Sequence, residues 1–169
     1  QIDVAVGTEL QDRLAAGDFD AVSLVHSETS TGALNDVRAL LPAIRQYPGV
    51  QVLVDSVTGI GGVPFHFDGW GVDFVVTGSQ KALALPPGLA FGVASEAFLA
   101  RARERPGRGM YLDVEGFYDQ LEKLQTPTTP AVTLLYALRT QLERIAAEGL
   151  EARFERHRTM AERTWGWVD

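Results

Sequence analysis

The chain of 169 residues contains no cysteine. That absence removes disulfide bridges, thiol nucleophiles and cysteine-ligated zinc or iron–sulfur centres together. No apolar run approaches the about 18 residues needed to span a bilayer. The first residues, Gln1-Ile2-Asp3-Val4, have neither the basic nor the apolar region of a secretory signal. Basic side chains are in deficit: 15 Lys and Arg against 22 Asp and Glu leave a net charge of −7 and a pI near 4.9. Such a balance disfavours nucleic acid and anionic lipid as partners, because both reward Lys and Arg. Internal repeats and low-complexity tracts are also lacking. What is there is an acidic globular chain of one domain's length, 46% hydrophobic and 22% charged, expected in the cytoplasm. Its start without Met and its aromatic end, Trp165-Gly166-Trp167, suggest a piece of a longer polypeptide.

Short apolar runs alternate with helical patterns. Ala21–Val25 reads as a buried strand running into a loop, and Val50–Val54, Val72–Val76 and Leu89–Ala94 read as further strands bounded by turn residues. Between the first two, Asn35 or Asp36 caps a helix over residues 37–44. Pro42 is tolerable in its first turns, and Tyr47-Pro48-Gly49 stops it. This rhythm predicts an α/β fold with a mostly parallel sheet and flanking helices. Residues 96–105 read as a helix, and Arg101 to Gly109 as a basic, Gly-rich loop. A long helix is expected over residues 131–148, with Thr129 as N-cap, Pro130 as first helical residue and Gly149 past the end. Leu134, Leu135, Leu138, Leu142 and Ile145 form its apolar stripe, and residues 150–168 continue as a charged helix. The expected division is an α/β core over 1–130 and long helices over 131–169.

Ligands of open α/β sheets bind off the carboxyl ends of the strands, so the strand-terminal residues carry the functional reading. Asp55 follows four apolar residues. It is either a buried carboxylate in need of a cationic partner or a cap on the Ser56 or Thr58 amide. Lys81 is followed by the apolar segment Ala82-Leu83-Ala84-Leu85-Pro86. It is either a desolvated amine, made more nucleophilic toward carbonyls, or a snorkelling surface lysine. Ser27-Glu28-Thr29-Ser30-Thr31-Gly32 is either a polar-ligand loop or a plain turn. His26, at the same strand end, reads as structural. Together, an acid, an amine and a hydroxyl loop on neighbouring strand ends match the needs of pyridoxal 5′-phosphate (PLP). That cofactor takes a lysine as Schiff base and an acidic partner for its pyridine nitrogen.

The motifs His26 to Gly32, Val54-Asp55-Ser56-Val57, Thr77-Gly78-Ser79-Gln80-Lys81-Ala82 and Pro86-Pro87-Gly88 resemble class V aminotransferases, most nearly the alanine–glyoxylate and serine–glyoxylate group. Tyr111-Leu112-Asp113, Thr129-Pro130 and Leu135-Tyr136-Ala137-Leu138-Arg139 extend the resemblance over almost the whole chain. The resemblance implies the large-domain core of a PLP-dependent transferase of fold type I, truncated at both ends, with the residues after 130 leading toward a small C-terminal domain. It assigns Lys81 as the Schiff-base lysine and proton-transfer base, Asp55 to the pyridine nitrogen and Val57 to one ring face. Ser30 and Thr29 go to the 3′-oxygen or phosphate side, and Gln80 to the phosphate or the 3′-oxygen region. Thr129 would reach across a homodimer interface to the partner subunit's phosphate. Thr126 departs from the pattern, since relatives often carry Tyr there.

The implied reaction moves an amino group from alanine or serine to glyoxylate or a related 2-oxo acid. Rival readings are an inactive PLP-fold fragment or another fold type I enzyme such as a lyase. A cysteine desulfurase is disfavoured by the absent cysteine and by Gln80 where a His commonly precedes the lysine. A nucleotide- or sugar-binding α/β domain ranks last, because neither G-x-G-x-x-G nor G-x-x-x-x-G-K-[ST] occurs and Gly59-Ile60-Gly61-Gly62 opens no convincing helix.

Overall fold

The computed structural model describes residues 4–168. The chain opens with helix α1 (Val4–Ala16), then strand β1 (Ala21–Val25), the short hairpin strands β2 (Ser27–Glu28) and β3 (Ala33–Leu34), and helix α2 (Val37–Ile44). Strand β4 (Gln51–Asp55), a helical turn α3 (Phe67–Trp70), β5 (Phe74–Gly78) and β6 (Ala90–Ala94) complete the sheets. Helices α4 (Glu96–Glu104), α5 (Val114–Glu122), α6 (Val132–Glu148) and α7 (Leu150–Val168) follow.

The main sheet has the order β1-β4-β5-β6. β1, β4 and β5 run parallel, and β6 returns antiparallel beside β5. The reason lies in the connections. α2 carries the chain from β1 to a parallel β4, whereas the segment 79–89 between β5 and β6 holds no helix to make a crossover. Asp36 caps α2 as expected, its Oδ1 accepting from the Ala39 amide at 3.0 Å.

Strand alternation divides the residues between two faces. Val52 and Val54 of β4 and Val75 of β5 turn to one face, where they pack with Leu14 of α1, Val37, Leu41 and Ile44 of α2, and Val72. Burying each such aliphatic side chain contributes about 1.5–3 kcal/mol. On the other face α4 lies over one end of the sheet: the Phe98 ring stacks on Phe74 at 5.1 Å, and Gln51 donates to the Ala97 carbonyl. At the amino ends of the strands, buried Asp73 accepts from the Val52 amide (2.8 Å), Arg45 (3.0 Å) and the Ser95 hydroxyl (3.3 Å).

Several expectations change. β1 lies at the sheet edge with alternate residues exposed, so it is not a fully buried strand. α1 and α5 were not foreseen; Asp113 caps α5 through the Glu115 amide at 3.2 Å. Thr129 is not the N-cap of α6. That cap is Ala131, without a side-chain bond, at φ −74° and ψ 75°. These are inverse γ-turn angles: the Val132 amide bonds back to the Pro130 carbonyl at 2.9 Å. The helix therefore starts two residues later, and Pro130 stays outside it. Gly149 ends it as expected, at φ 82°. Of the apolar stripe only Ile145 is buried, while Leu135 and Leu142 remain exposed.

Candidate active site

Val25, Asp55 and Val76 are register partners across β1, β4 and β5. The carboxyl ends of the three parallel strands therefore finish in one row, and their loops emerge side by side. Three bonds tie the first two loops together. The His26 amide donates to the Asp55 carbonyl (2.8 Å), His26 Nδ1 meets Ser56 Oγ (2.8 Å), and Thr58 Oγ1 donates to the Ser27 carbonyl (2.8 Å). The β4 and β5 ends are joined by the Ser56 amide on the Val76 carbonyl (3.1 Å) and by Thr77 Oγ1 on the Val57 carbonyl (3.3 Å).

Asp55 ends β4 on the face that α4 covers only at its far end, so its side chain is exposed rather than buried. Its Oδ1 accepts from the Val57 amide at 3.0 Å, which is the turn-capping alternative with Val57 in place of Ser56 or Thr58. Lys81 is likewise exposed and not desolvated, because Leu83 alone of the residues just after it turns inward. Among the described residues no ion pair engages Lys81. Both groups are thus open to a ligand, one following β4 and the other following β5. Val57 is half-buried between them in chain order.

The remaining sequence candidates divide. Thr29 and Ser30 lie exposed in the β2–β3 turn beside the Asp55 strand. Glu28 Oε1 organises that turn, accepting from both the Ser30 amide (2.8 Å) and Ser30 Oγ (2.6 Å), and these bonds hold its carboxyl below the usual glutamate range. Gln80 is exposed and curls over Gly78, whose missing Cβ would sit 2.9 Å from Gln80 Oε1. Thr129 is exposed, and among the described residues no hydrogen bond engages it. The helix it precedes does reach the lysine loop: a Cβ on Gly88 would lie 2.7 Å from Leu134 Cδ1.

Two supporting residues, Ser79 and Arg153, escaped the sequence reading, and a third, His26, behaves as that reading expected. Ser79 is fully buried, its Oγ donating to the Pro86 carbonyl (2.8 Å) and accepting from the Leu89 amide (3.3 Å), which closes the loop carrying Lys81. His26, read as structural, is buried against Phe65 and Trp70. Burial pushes its imidazole below the ordinary histidine value of 6.5, partly offset by Asp36. Arg153 of α7, only 5% exposed, donates to the Gly61 carbonyl (2.7 Å) and the Ala82 carbonyl (2.5 Å) and pairs with Glu148 (3.0 Å). Nothing local marks it, since the same helix carries Arg156, Arg158 and Arg163.

A carboxylate ending one strand and a lysine in the loop after its parallel neighbour, on an α/β sheet with helices on both faces, are the pair of groups that PLP-dependent chemistry requires. Residues 6–166 match the family Aminotransferase class-V, and the chain belongs to that family. It is 41% identical over 144 residues to the small subunit of a soluble hydrogenase from Synechococcus sp., covering 85% of this chain and 38% of that protein. It is 40% identical over 147 residues to the serine–glyoxylate aminotransferase of Arabidopsis thaliana, covering 85% and 36%. The crystal structure of alanine–glyoxylate aminotransferase from Nostoc sp. superposes with a TM-score of 0.85 at 36% identity, covering 94% of this chain and 43% of that one. The chain therefore spans about two fifths of the length of the relatives it matches. Membership implies pyridoxal 5′-phosphate as the cofactor. Among the described residues no cluster of His, Asp and Glu suits a metal ion, and no helix is long and apolar enough to cross a membrane.

Proposed function

We propose that these residues form the cofactor-binding core of a cytoplasmic, homodimeric transaminase that passes an amino group from alanine or serine to glyoxylate or a related 2-oxo acid. One observation carries the reading: exposed Asp55 and Lys81 groups, one ending β4 and the other in the loop after the adjacent β5, in a chain of the class V family. When bound, PLP supplies an electron sink that stabilises negative charge at the substrate α-carbon. The residues present fit it, since the donor set offers an amine for its aldehyde, a carboxylate for its ring nitrogen and hydroxyls for its phosphate.

In this reading Lys81 Nζ would hold the cofactor and, when free, would carry the proton between the substrate α-carbon and C4′ of the cofactor. The Asp55 carboxylate holds the proton on the ring nitrogen, and its bond from the Val57 amide fixes its orientation. Val57 packs on a ring face. Ser30 and Thr29 bind the 3′-oxygen or phosphate side, Gln80 binds the same region, and Thr129 reaches the phosphate of the partner subunit. Residues 1–130 are the core, and 131–169 lead toward a second, smaller domain. The exposure of Asp55 and Lys81 favours a second reading, in which residues outside this chain are needed to cover the cofactor before turnover.

The test is an absorbance spectrum of the purified chain with added PLP, with and without borohydride, beside Lys81→Ala. A lysine-bound band trapped by borohydride and absent from the variant supports the first reading. Free PLP alone in both samples supports the second.

A further inference from the structure

The Lys81 loop and the loop after Asp55 are packed against each other with almost no room to spare. A Cβ on Gly61 would lie 3.1 Å from Leu83 Cδ2, and one on Gly62 would lie 3.1 Å from Ala82 Cβ. These two backbones meet two residues or fewer beyond the lysine. Both present a carbonyl to the same point, and two carbonyl dipoles converging there repel unless a donor lies between them. Arg153 is that donor: its Nε bonds the Gly61 carbonyl and its Nη2 the Ala82 carbonyl. The planar guanidinium spans both with one rigid fork, which an ammonium on a flexible stem cannot do. A buried cation needs a counter-charge, and Glu148 provides it. Glu148 Oε2 accepts from Arg153 while Oε1 accepts from Arg156 at 2.6 Å. Those partners, Arg156 before Arg153, hold the Glu148 carboxyl at about 2, so it stays a carboxylate at neutral pH.

What the fork holds is a strained turn. Ala84 sits at φ +56°, a left-handed conformation that residues other than glycine rarely adopt. The Ala84 amide closes on the Lys81 carbonyl (2.8 Å), and the Leu85 amide on the Ser79 carbonyl (3.0 Å). Without a fixed point at Ala82 the turn has every reason to relax, and the direction in which Lys81 leaves the backbone would relax with it.

We infer that Arg153, backed by Glu148, is a positioning residue that couples α7 to the lysine turn and sets how Lys81 is presented beside Asp55. The inference rests on the proposed role of Lys81, and it predicts two separable effects. The first needs no cofactor: in the apo protein, Arg153→Lys should reduce hydrogen-exchange protection of the Ala84 and Leu85 amides by about tenfold or more. Glu148→Gln, which leaves both carbonyl bonds in place, should show a smaller loss. The second is spectroscopic: with PLP added to the protein carrying this chain, Arg153→Lys should shift the pH midpoint of the Lys81-dependent band and weaken PLP binding about tenfold. An Arg153→Lys protein that melts earlier, yet keeps its Ala84 and Leu85 protection and an unshifted band, would overturn the inference and leave Arg153 a helix-packing residue. If the unaltered protein gives no Lys81-dependent band, the cofactor reading fails instead, and the exchange data alone then decide whether the fork fixes the turn.

Discussion

Replacing Ser79 by Ala removes one oxygen from a fully buried position and nothing else. In the wild-type loop that oxygen closes two bonds, donating to the Pro86 carbonyl at 2.8 Å and accepting from the Leu89 amide at 3.3 Å. The two losses are unequal. Pro86 is exposed, so its carbonyl can turn to water at little cost. Leu89 is half-buried, and its amide loses a partner that solvent replaces only in part. Leaving a buried donor unpaired costs about 1–3 kcal/mol, whereas a bond exchanged for water costs about 0.5–1.5 kcal/mol. With the Pro86 carbonyl hydrated at little cost, the half-buried Leu89 amide dominates, and the net destabilisation should be about 1–3 kcal/mol. At about 2–4 °C per kcal/mol for a chain of this size, the midpoint should fall by about 2–12 °C. Differential scanning calorimetry against Ser23→Ala, an exposed serine on edge strand β1, gives the reference, for which a change within about 0.5 kcal/mol is expected. The backbone bonds between Ser79 and Leu89 and from Leu85 to Ser79 survive the substitution. Exchange of the Leu89 amide should therefore rise more than that of Leu85. Identical midpoints for the two serine variants, with Leu89 protection unchanged, would refute the view that the buried hydroxyl holds the lysine loop closed.

Two further outcomes follow from the same structure. His26 is held below its ordinary 6.5 by burial, so the folded state binds its proton less readily than the unfolded state does. The stability this confers is complete above that ordinary value and is lost as pH falls below it toward the lowered one. His26→Gln should flatten the change in melting midpoint between about pH 7 and pH 5, and an unchanged slope would mean that another group titrates there. At the opposite end of the sheet, Asp73→Ala strips the Val52 amide and Arg45 of their acceptor. Because Arg45 is 40% exposed, the cost should be about 2–3 kcal/mol, below the about 3–5 kcal/mol of a fully buried pair, as read by urea denaturation.

Much of the site was legible because its residues sit where chain periodicity changes. Asp55 stands at the end of an apolar strand, and Lys81 between a Gly-Ser-Gln turn and an apolar segment. Both positions follow from local pattern alone. Their environments do not. The same pattern suggested a buried acid and a desolvated amine, yet both are exposed: α4 covers only the far end of Asp55's face, and of the residues just after Lys81 only Leu83 turns inward. The Thr129 cap failed for a local reason that sequence statistics average away: Ala131 takes γ-turn angles and consumes the Pro130 carbonyl. The amphipathic stripe of α6 correctly announced a helix but did not say which of its residues this chain would bury.

By itself, the sequence determined the α/β class, the Asp36 cap of α2 and the acid, amine and hydroxyl residues at neighbouring strand ends. Each of these depends on contacts close along the chain: hydrophobic period, capping side chains and turn residues. Only the tertiary structure decided that β6 runs antiparallel, that Ser79 and His26 are buried inside the loops, and that Arg153 of α7 reaches back to Gly61 and Ala82. Those facts depend on groups far apart in sequence meeting at one point. An arginine among several on a charged helix carries no local mark of the two carbonyls it bridges.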